Sequence, residues 1–484
     1  MNGAGDRPAR PALLLAATIL GSAMVFIDST VVNVALPALA HDLGASLAAQ
    51  QWAVEAYLLT LGSLVLVGGS LGDLLGRRRV FIWGVAGFGV TSILCAAAPS
   101  AGALIAFRTL QGVAGALLVP SSLAIITASY TSTAARGAAI GSWTAWTSAA
   151  IAVGPSLGGV LVDAVSWRLV FAINVPVAAA ALVLTMRGVP EFPGRPDTRV
   201  DVVGGVLCAL GLAGPVFALI EQPSRGWDDP LILCALIGGL ALLALFFVWE
   251  ARWSSAPMLP LHLFRSHNFA VGNGATFAVY AGLGAATFFL ALFVQEVAGY
   301  SALEGGLVTL PLTLMVLTFA RRFGALAGRV GPRLFMGLGP LVCSAGLLLW
   351  LTLDERGTYV TQVLPGSIVF GLGLAMTVAP LTATVLGAVA PEHAGVASGV
   401  NNAIARIASL LAIAIVGAVV TTVLLDRGGE GATRLGTGDV AASVAAFHAG
   451  LLCAAVLVAL GGVVSLVGIR NPTAAERVEA RAST

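Results

Sequence analysis

Four ionisable side chains stand well inside otherwise apolar runs of this sequence: Asp28, Glu55, Arg108 and Arg406. A charge held in the middle of a bilayer costs several kcal/mol unless it meets water or a partner, so such groups mark proton or ion pathways by default. Two acids and two bases admit two readings. They either neutralise one another as a static cluster that ties helices together, or form a site whose ionisation changes as water reaches it. Asp28, Glu55 and Arg108 all belong to the first part of the chain. On the topology derived below they lie toward the outer ends of their helices, where a water-filled vestibule would reach them. Burial favours a neutral carboxyl and a neighbouring guanidinium favours a charged one, so opening and closing such a vestibule would load and release a proton.

Spacing adds to this. Arg108, Gln111, Gly112 and Gly115 recur at i, i+3, i+4 and i+7, which puts a polar pair and small residues on one helix face. Small residues let a neighbouring helix approach closely. Ser398, Asn402, Arg406 and Ser409 make a comparable polar stripe on another apolar run. The guanidinium there either pairs with an acid of the other half of the chain or contacts a bound molecule.

The elements that position these groups follow from composition. With 484 residues, 58% hydrophobic, 10% charged and a mean hydropathy of +0.95, the chain has too little polar surface to coat water-soluble domains. Apolar windows long enough to cross about 30 Å of hydrocarbon as helices recur throughout, and the alternation of barrel strands is lacking. Spans are expected at 12–36, 50–71, 80–98, 102–126, 138–162, 168–186, 203–220, 231–249, 269–294, 305–323, 334–352, 361–386, 395–424 and 446–469, fourteen in all. A signal peptide is the competing reading of the first run, since Arg7 and Arg10 precede it, but its length and the spans that follow favour a retained helix.

Every basic residue is arginine, a usage that fits a GC-rich bacterial genome. With the N-terminus cytoplasmic, eighteen arginines fall on the inner side and five, Arg168, Arg225, Arg356, Arg427 and Arg434, on the outer. That asymmetry places both termini in the cytoplasm and makes the basic clusters topology signals, with no role in binding nucleic acid. All five cysteines fall in expected spans without metal-ligand spacing, and the five histidines lie at or near loops. Neither a metal site nor a histidine relay is indicated.

Two loops share a skeleton. "GSLGDLLGRRR" carries Gly69, Leu71, Asp73 and Gly76, and "GALAGRVGPR" carries Gly324, Leu326, Gly328 and Gly331 at the same offsets. The chain therefore reads as an all-α membrane protein with a duplicated six-helix unit: 1–186, a linker at 187–268 with two additional helices, and 269–484 with a tail. Residues 425–445 form the longest outer loop, and its glycines suggest mobility.

With these features in view, the chain resembles the fourteen-helix drug:proton antiporter branch of the major facilitator superfamily over almost its whole length. "DSTVVNVALP" (28–37) resembles the span-1 motif of that branch, with Asp28, Thr30, Asn33, Ala35 and Pro37 in matching positions. The loop at 69–79, "RTLQGVAGA" (108–116) and "GPSLGG" (154–159) resemble the loop 2–3, span-4 and span-5 motifs, and "WRLVFAINVP" (167–176) and "GYSALEGGLVTLP" (299–311) add context. The resemblance implies a proton-responsive acid at Asp28 and a coupling arginine at Arg108; Glu55 is added to the proton-coupling set from its place inside span 2, since Glu55 and Arg406 are not general features of the superfamily. The resemblance also implies a cytoplasmic latch of Gly69, Asp73, Gly76, Arg77 and Arg78, and an antiporter motif at Gly154, Pro155, Gly158 and Gly159. Pro155 removes an intrahelical hydrogen bond and the glycines leave a smooth surface, so that helix can bend and pack closely. Candidates for contacting cargo are Asn33, Gln111, Asn402 and Arg406. Leu74, Ala150 and Gly328 depart from the family pattern, and the last leaves the second loop without an acid.

The expected function is proton-coupled antiport: multidrug or toxic-metabolite efflux of small amphipathic compounds across the cytoplasmic (inner) membrane, giving antibiotic resistance. The carrier would be a monomer in lipid, with protons and a small-molecule substrate as partners and no cofactor beyond the proton gradient. A dedicated exporter or importer of a specific, anionic metabolite keeps the fold and changes the cargo. A membrane-embedded enzyme or sensor lacks support, because no Ser/His/Asp arrangement, metal cluster or nucleotide loop is present.

Overall fold

The apolar windows become fourteen helices long and apolar enough to cross a membrane, and every regular element of the described residues is helical. The computed structural model describes residues 10–130, 132–390, 394–428, 434–437 and 439–471. The spans are α1 (Pro11–Leu43), α2 (Leu47–Leu75), α3 (Arg77–Ala96), α4 (Ala101–Ser129), α5 (Ala135–Ala164), α6 (Leu169–Gly188), α7 (Val202–Arg225), α8 (Pro230–Trp253), α9 (His267–Glu296), α10 (Ala302–Val330), α11 (Pro332–Thr352), α12 (Tyr359–Gly387), α13 (Val396–Gly428) and α14 (Val440–Gly468). Helices α1–α6 and α9–α14 are the two six-helix sets, with α7 and α8 between them.

Most helices run past the apolar window that reveals them. α1 continues seven residues beyond the expected 36 to a left-handed Gly44, because a helix is sustained by its own backbone bonds after the hydrocarbon ends. The loop expected at 425–445 is correspondingly shorter, since α13 reaches Gly428 and α14 begins at Val440. At its described positions the loop is held: Gly436 (φ +78°) donates to Ser443 at 3.0 Å, and Thr437 donates to the Arg434 carbonyl at 2.6 Å.

By contacts the chain forms two compact units. The first comprises Met1–Pro260, Phe288–Leu307 and Ile413–Ala446, the second Leu261–Thr287, Val308–Ala412 and Phe447–Thr484. In the first unit α2 and α4 approach through small residues: a Cβ on Gly68 would stand 2.1 Å from the Ala116 carbonyl, and one on Gly112 would stand 2.0 Å from the Thr60 hydroxyl. The extra hairpin docks on α2, where Gly205 lies against Val67 and the Trp52 indole donates to Glu221 at 3.1 Å. Asp201 ties the hairpin's ends together by capping α7 through Gly204 N–H (2.7 Å) and accepting from the Trp249 indole (2.9 Å). Apart from Arg252 in its last turn, the exposed side chains of α8 are apolar, among them Leu231, Ile237 and Leu240, as a lipid-facing helix requires.

Candidate functional site

Asp28 and Arg108 form a buried ion pair between α1 and α4, with exposures of 0% and 1%. Groups on three helices, α2, α4 and α6, bond the pair directly, and Ser92 on α3 holds two of them. Gln111 accepts from Arg108 Nη1 at 2.7 Å through its carbonyl oxygen, and its amide donates to Asp28 Oδ1 (3.2 Å) and to Ser92 (2.9 Å). Asn174 on α6 donates to Asp28 Oδ1 and to Ser92, both at 3.3 Å. Arg108 Nε donates to the Ala53 carbonyl at 2.9 Å, and the guanidinium carbon lies 4.1 Å from the centroid of the Tyr57 ring. A buried pair is tolerated when its leftover donors and acceptors are used in this way.

The vestibule expected around Asp28 is closed in this structure, because the network fills the space between the helices and leaves the carboxylate no contact with water. Glu55 does not join it. Its side chain is fully buried, and both carboxyl oxygens lack a hydrogen-bond partner among the described residues. Its residue number suggested a hydrated helix end, but Gln51, one turn away, donates to the Ile413 carbonyl of α13 (3.2 Å), and a Cβ on Gly417 would stand 1.6 Å from the Gln51 amide. α13 therefore covers that face of α2.

At the arginine-rich end, the turn between α2 and α3 is made by Gly76 at φ +100°, a conformation L side chains rarely adopt. Asp73 Oδ1 accepts from Arg77 Nε (3.0 Å) and Nη2 (2.9 Å), and Arg77 Nη1 reaches the Ala124 carbonyl at 3.0 Å. Arg78 turns instead to Glu191 in the linker and to the Met186 carbonyl, while Arg195 N–H donates to the Asp73 carbonyl at 2.8 Å. Gly69 sits at ordinary contact distance from Pro120. The second loop repeats the turn with Gly331 at φ +111°. Where Asp73 stands in the first loop the second has Gly328, beside a cavity of about 260 Å³ also lined by Gly324, Ala327 and Asn268.

A family model described as Major Facilitator Superfamily matches residues 18–413. The chain belongs to that superfamily. It is 36% identical over 403 residues to the methylenomycin A resistance protein of Bacillus subtilis (strain 168), covering 83% of this chain and 86% of that one. The puromycin resistance protein pur8 of Streptomyces alboniger is 37% identical over 418 residues, covering 84% and 81%. The multidrug resistance protein Stp of Mycobacterium tuberculosis is 35% identical over 407, covering 84% and 75%. Among solved structures, a bacterial homologue of the human lysosomal transporter Spinster superposes with a TM-score of 0.64 at 18% identity, over 94% of this chain and 96% of that one, a likeness of fold. The protein is a multi-pass membrane transporter. Among the described residues no group of three or more His, Cys, Asp or Glu is placed to hold a metal ion.

In this superfamily member the α5 glycines serve two neighbours. Gly154 and Gly158 lie against Thr30 and Val31 of α1, whereas Gly159 faces the start of α10, where a Cβ would stand 2.4 Å from Leu303 Cα and 2.6 Å from the Ala302 carbonyl. Pro155 contributes from the same face: a Cβ on Gly306 would stand 2.3 Å from its carbonyl. Gly159→Ala must push backbone away, so it is expected to cut the transport rate severalfold at an unchanged amount of folded protein. Gly238→Ala on α8, which meets nothing within 4 Å, is expected to keep the wild-type rate. Equal rates for the two variants in reconstituted vesicles would refute the close approach.

The second unit carries polar contacts that the sequence did not reveal. Asn401 donates to Asn273 (3.1 Å) and to Thr276 (2.8 Å) across to α9, and Ser409 donates to the Tyr280 carbonyl at 3.0 Å. Asn402 is exposed and bonds its own helix at Ser398, Arg406 is half-buried, and Asn33 is half-buried with an unpartnered carbonyl oxygen. Gln111, a cargo candidate by spacing, is fully buried inside the Asp28 network. Ser92 and Asn174 were missed. Asn174, an amide inside an apolar span, was the available signal; Ser92 gave none, since serine is common in membrane helices.

Proposed function

We propose that this transporter is a proton-coupled antiporter that exports small amphipathic organic compounds across a cytoplasmic membrane as a monomer, with both termini inside. Relatives named for resistance to methylenomycin A, puromycin and multiple drugs support the cargo class, and the arginine distribution supports the orientation. The two bundles, 1–186 and 269–484, would rock about the cargo with 187–268 attached to the first.

The buried Asp28–Arg108 pair carries the coupling. Breaking such a pair in place is expensive, so neutralising Asp28 and separating α1 from α4 favour one another. A conformation that admits outside water would protonate Asp28, loosen Arg108 and release cargo, and a return to the cytoplasmic side would discharge the proton. A closed, dry Asp28 would belong to the step between them. Asn174, Ser92 and Gln111 hold the carboxylate in register, which makes Gln111 a coupling residue rather than a cargo contact. Among the described residues Glu55 has no hydrogen-bond partner, and a bare carboxylate buried there would cost several kcal/mol, so Glu55 is assigned as a second proton carrier. Asn33, Asn402 and Arg406 remain the cargo candidates, while Asp73 with Arg77, and Arg78 with Glu191, form the cytoplasmic latch.

Proteoliposomes with an imposed pH gradient test this reading. Cargo efflux is expected to draw protons inward; efflux indifferent to the gradient, or proton entry without efflux, would sink it. Glu55→Gln is expected to fold normally and to lower the number of protons exchanged per cargo, read from the gradient needed to hold a fixed cargo ratio. An unchanged ratio would remove Glu55 from the mechanism.

A further inference from the structure

The N–H groups that open α10 are accounted for one by one. The Ser301 hydroxyl accepts from Glu304 N–H at 3.2 Å, and the Glu304 carboxylate accepts from Ser301 N–H at 2.9 Å, a reciprocal capping box. The regular ladder then starts with Gly305 N–H on the Ser301 carbonyl at 2.9 Å. Two donors remain between them, on Ala302 and Leu303. Both are taken by one side chain of another helix: Asp163 Oδ1 accepts from Ala302 at 3.0 Å and Oδ2 from Leu303 at 2.8 Å.

Asp163 occupies the last turn of α5, where an acid opposes the dipole of its own helix. The helix that opens α10, Ala302–Leu307, is six residues long and is followed by a turn at 308–309, so the carboxylate there is favoured by its two charge-assisted bonds to Ala302 and Leu303. One turn earlier, Gly159 brings the two backbones close enough for the carboxylate to reach. Asp163 is exposed, unlike Asp28. When the helices part, both the carboxylate and the freed N–H groups meet water directly, so this contact can break and reform within a turnover, which a dry ion pair cannot do as cheaply.

We propose that Asp163 is a positioning residue of the transport cycle: its carboxylate clasps the first turn of α10 and sets how often the outer mouth opens. The assignment of this end as outer rests on the orientation proposed above. Asp163 lies beyond the glycine motif of α5, which explains the close approach but supplies no attraction.

The test uses full-length protein with its five cysteines replaced by serine and spin labels at Val165 and Asp426, both exposed, reconstituted in lipid nanodiscs for distance measurement. Asp163→Ala is expected to raise the ratio of open to closed outer mouth by about tenfold, the loss of roughly one charged hydrogen bond's net contribution. Asp163→Glu is expected to recover at least half of the closed population. Ala302→Pro removes one donor at a helix position where proline is tolerated, without touching Asp163, and is expected to shift the ratio in the same direction by less. In vesicles, Asp163→Ala is expected to raise the apparent KM for cargo offered from the cytoplasmic side, because fewer molecules face it.

An unchanged distance distribution in Asp163→Ala, or a Glu variant that behaves like Ala, would overturn the clasp. Should Asp163→Ala fail to fold, the Ala302→Pro distribution decides, and no shift there overturns the clasp as well. Reaction of a cysteine at Val165 with an impermeant maleimide only in everted vesicles would refute the orientation instead, leaving the population shift itself standing.

Discussion

Asp28→Asn is expected to reach the membrane in near-normal amount and to lose proton-driven export to the level of empty vesicles. The amide keeps the shape of the acid, and its oxygen still accepts from one of the donors now shared among Arg108, Gln111 and Asn174. The guanidinium retains the Ala53 carbonyl, the Gln111 oxygen and the Tyr57 ring, so its charge is not left bare. An amide cannot bind and release a proton, and the tie between α1 and α4 loses its dependence on protonation. Cargo-dependent proton movement in vesicles holding this variant, measured with a pH-sensitive dye, would exclude Asp28 as the coupling acid.

Arg108→Ala is expected to cost about 3–5 kcal/mol and to deplete folded protein, because it leaves a carboxylate buried with amide donors only. It also empties the space under Tyr57 and takes one donor each from the Ala53 carbonyl and the Gln111 amide oxygen. The charge is the larger part of that cost, so adding Asp28→Asn to Arg108→Ala is expected to restore part of the folded fraction. The measurement is the recovery of monodisperse protein after heating, across the two single variants and the double. Strict additivity would mean that the two residues act independently, contrary to their contact. Neither variant is expected to export, which separates folding from coupling.

Much of the fold was legible before any coordinates. Each apolar window yields a helix because a spanning segment must satisfy its own backbone, a local requirement. The repeated loop skeleton was legible for a similar reason: Gly76 and Gly331 both adopt positive φ, and few residues other than glycine fit there. Helix ends were less so. α1 runs on to Leu43 and α13 to Gly428, since hydropathy marks where the hydrocarbon stops and capping marks where the helix does. At the loop after α2, sequence reading grouped Asp73 with both Arg77 and Arg78, yet Arg78 leaves for Glu191 in a linker more than a hundred residues away.

The sequence alone determined that the described residues hold fourteen helices long and apolar enough to cross a membrane, that a few charges had to be sheltered, and that glycine surfaces awaited close neighbours. These follow from composition and short-range spacing, where the cost of exposing a charge or a peptide group to lipid acts residue by residue. Only the tertiary structure decided which charges meet. Asp28 and Arg108 pair, while Glu55, an acid just as fully buried, has no hydrogen-bond partner among the described residues. Asn174 and Ser92 complete the network, and Asp163 finds its donors on α10. Those outcomes depend on the rotation and packing of whole helices, which the close fit of side chains across their faces selects and which no window along one chain contains.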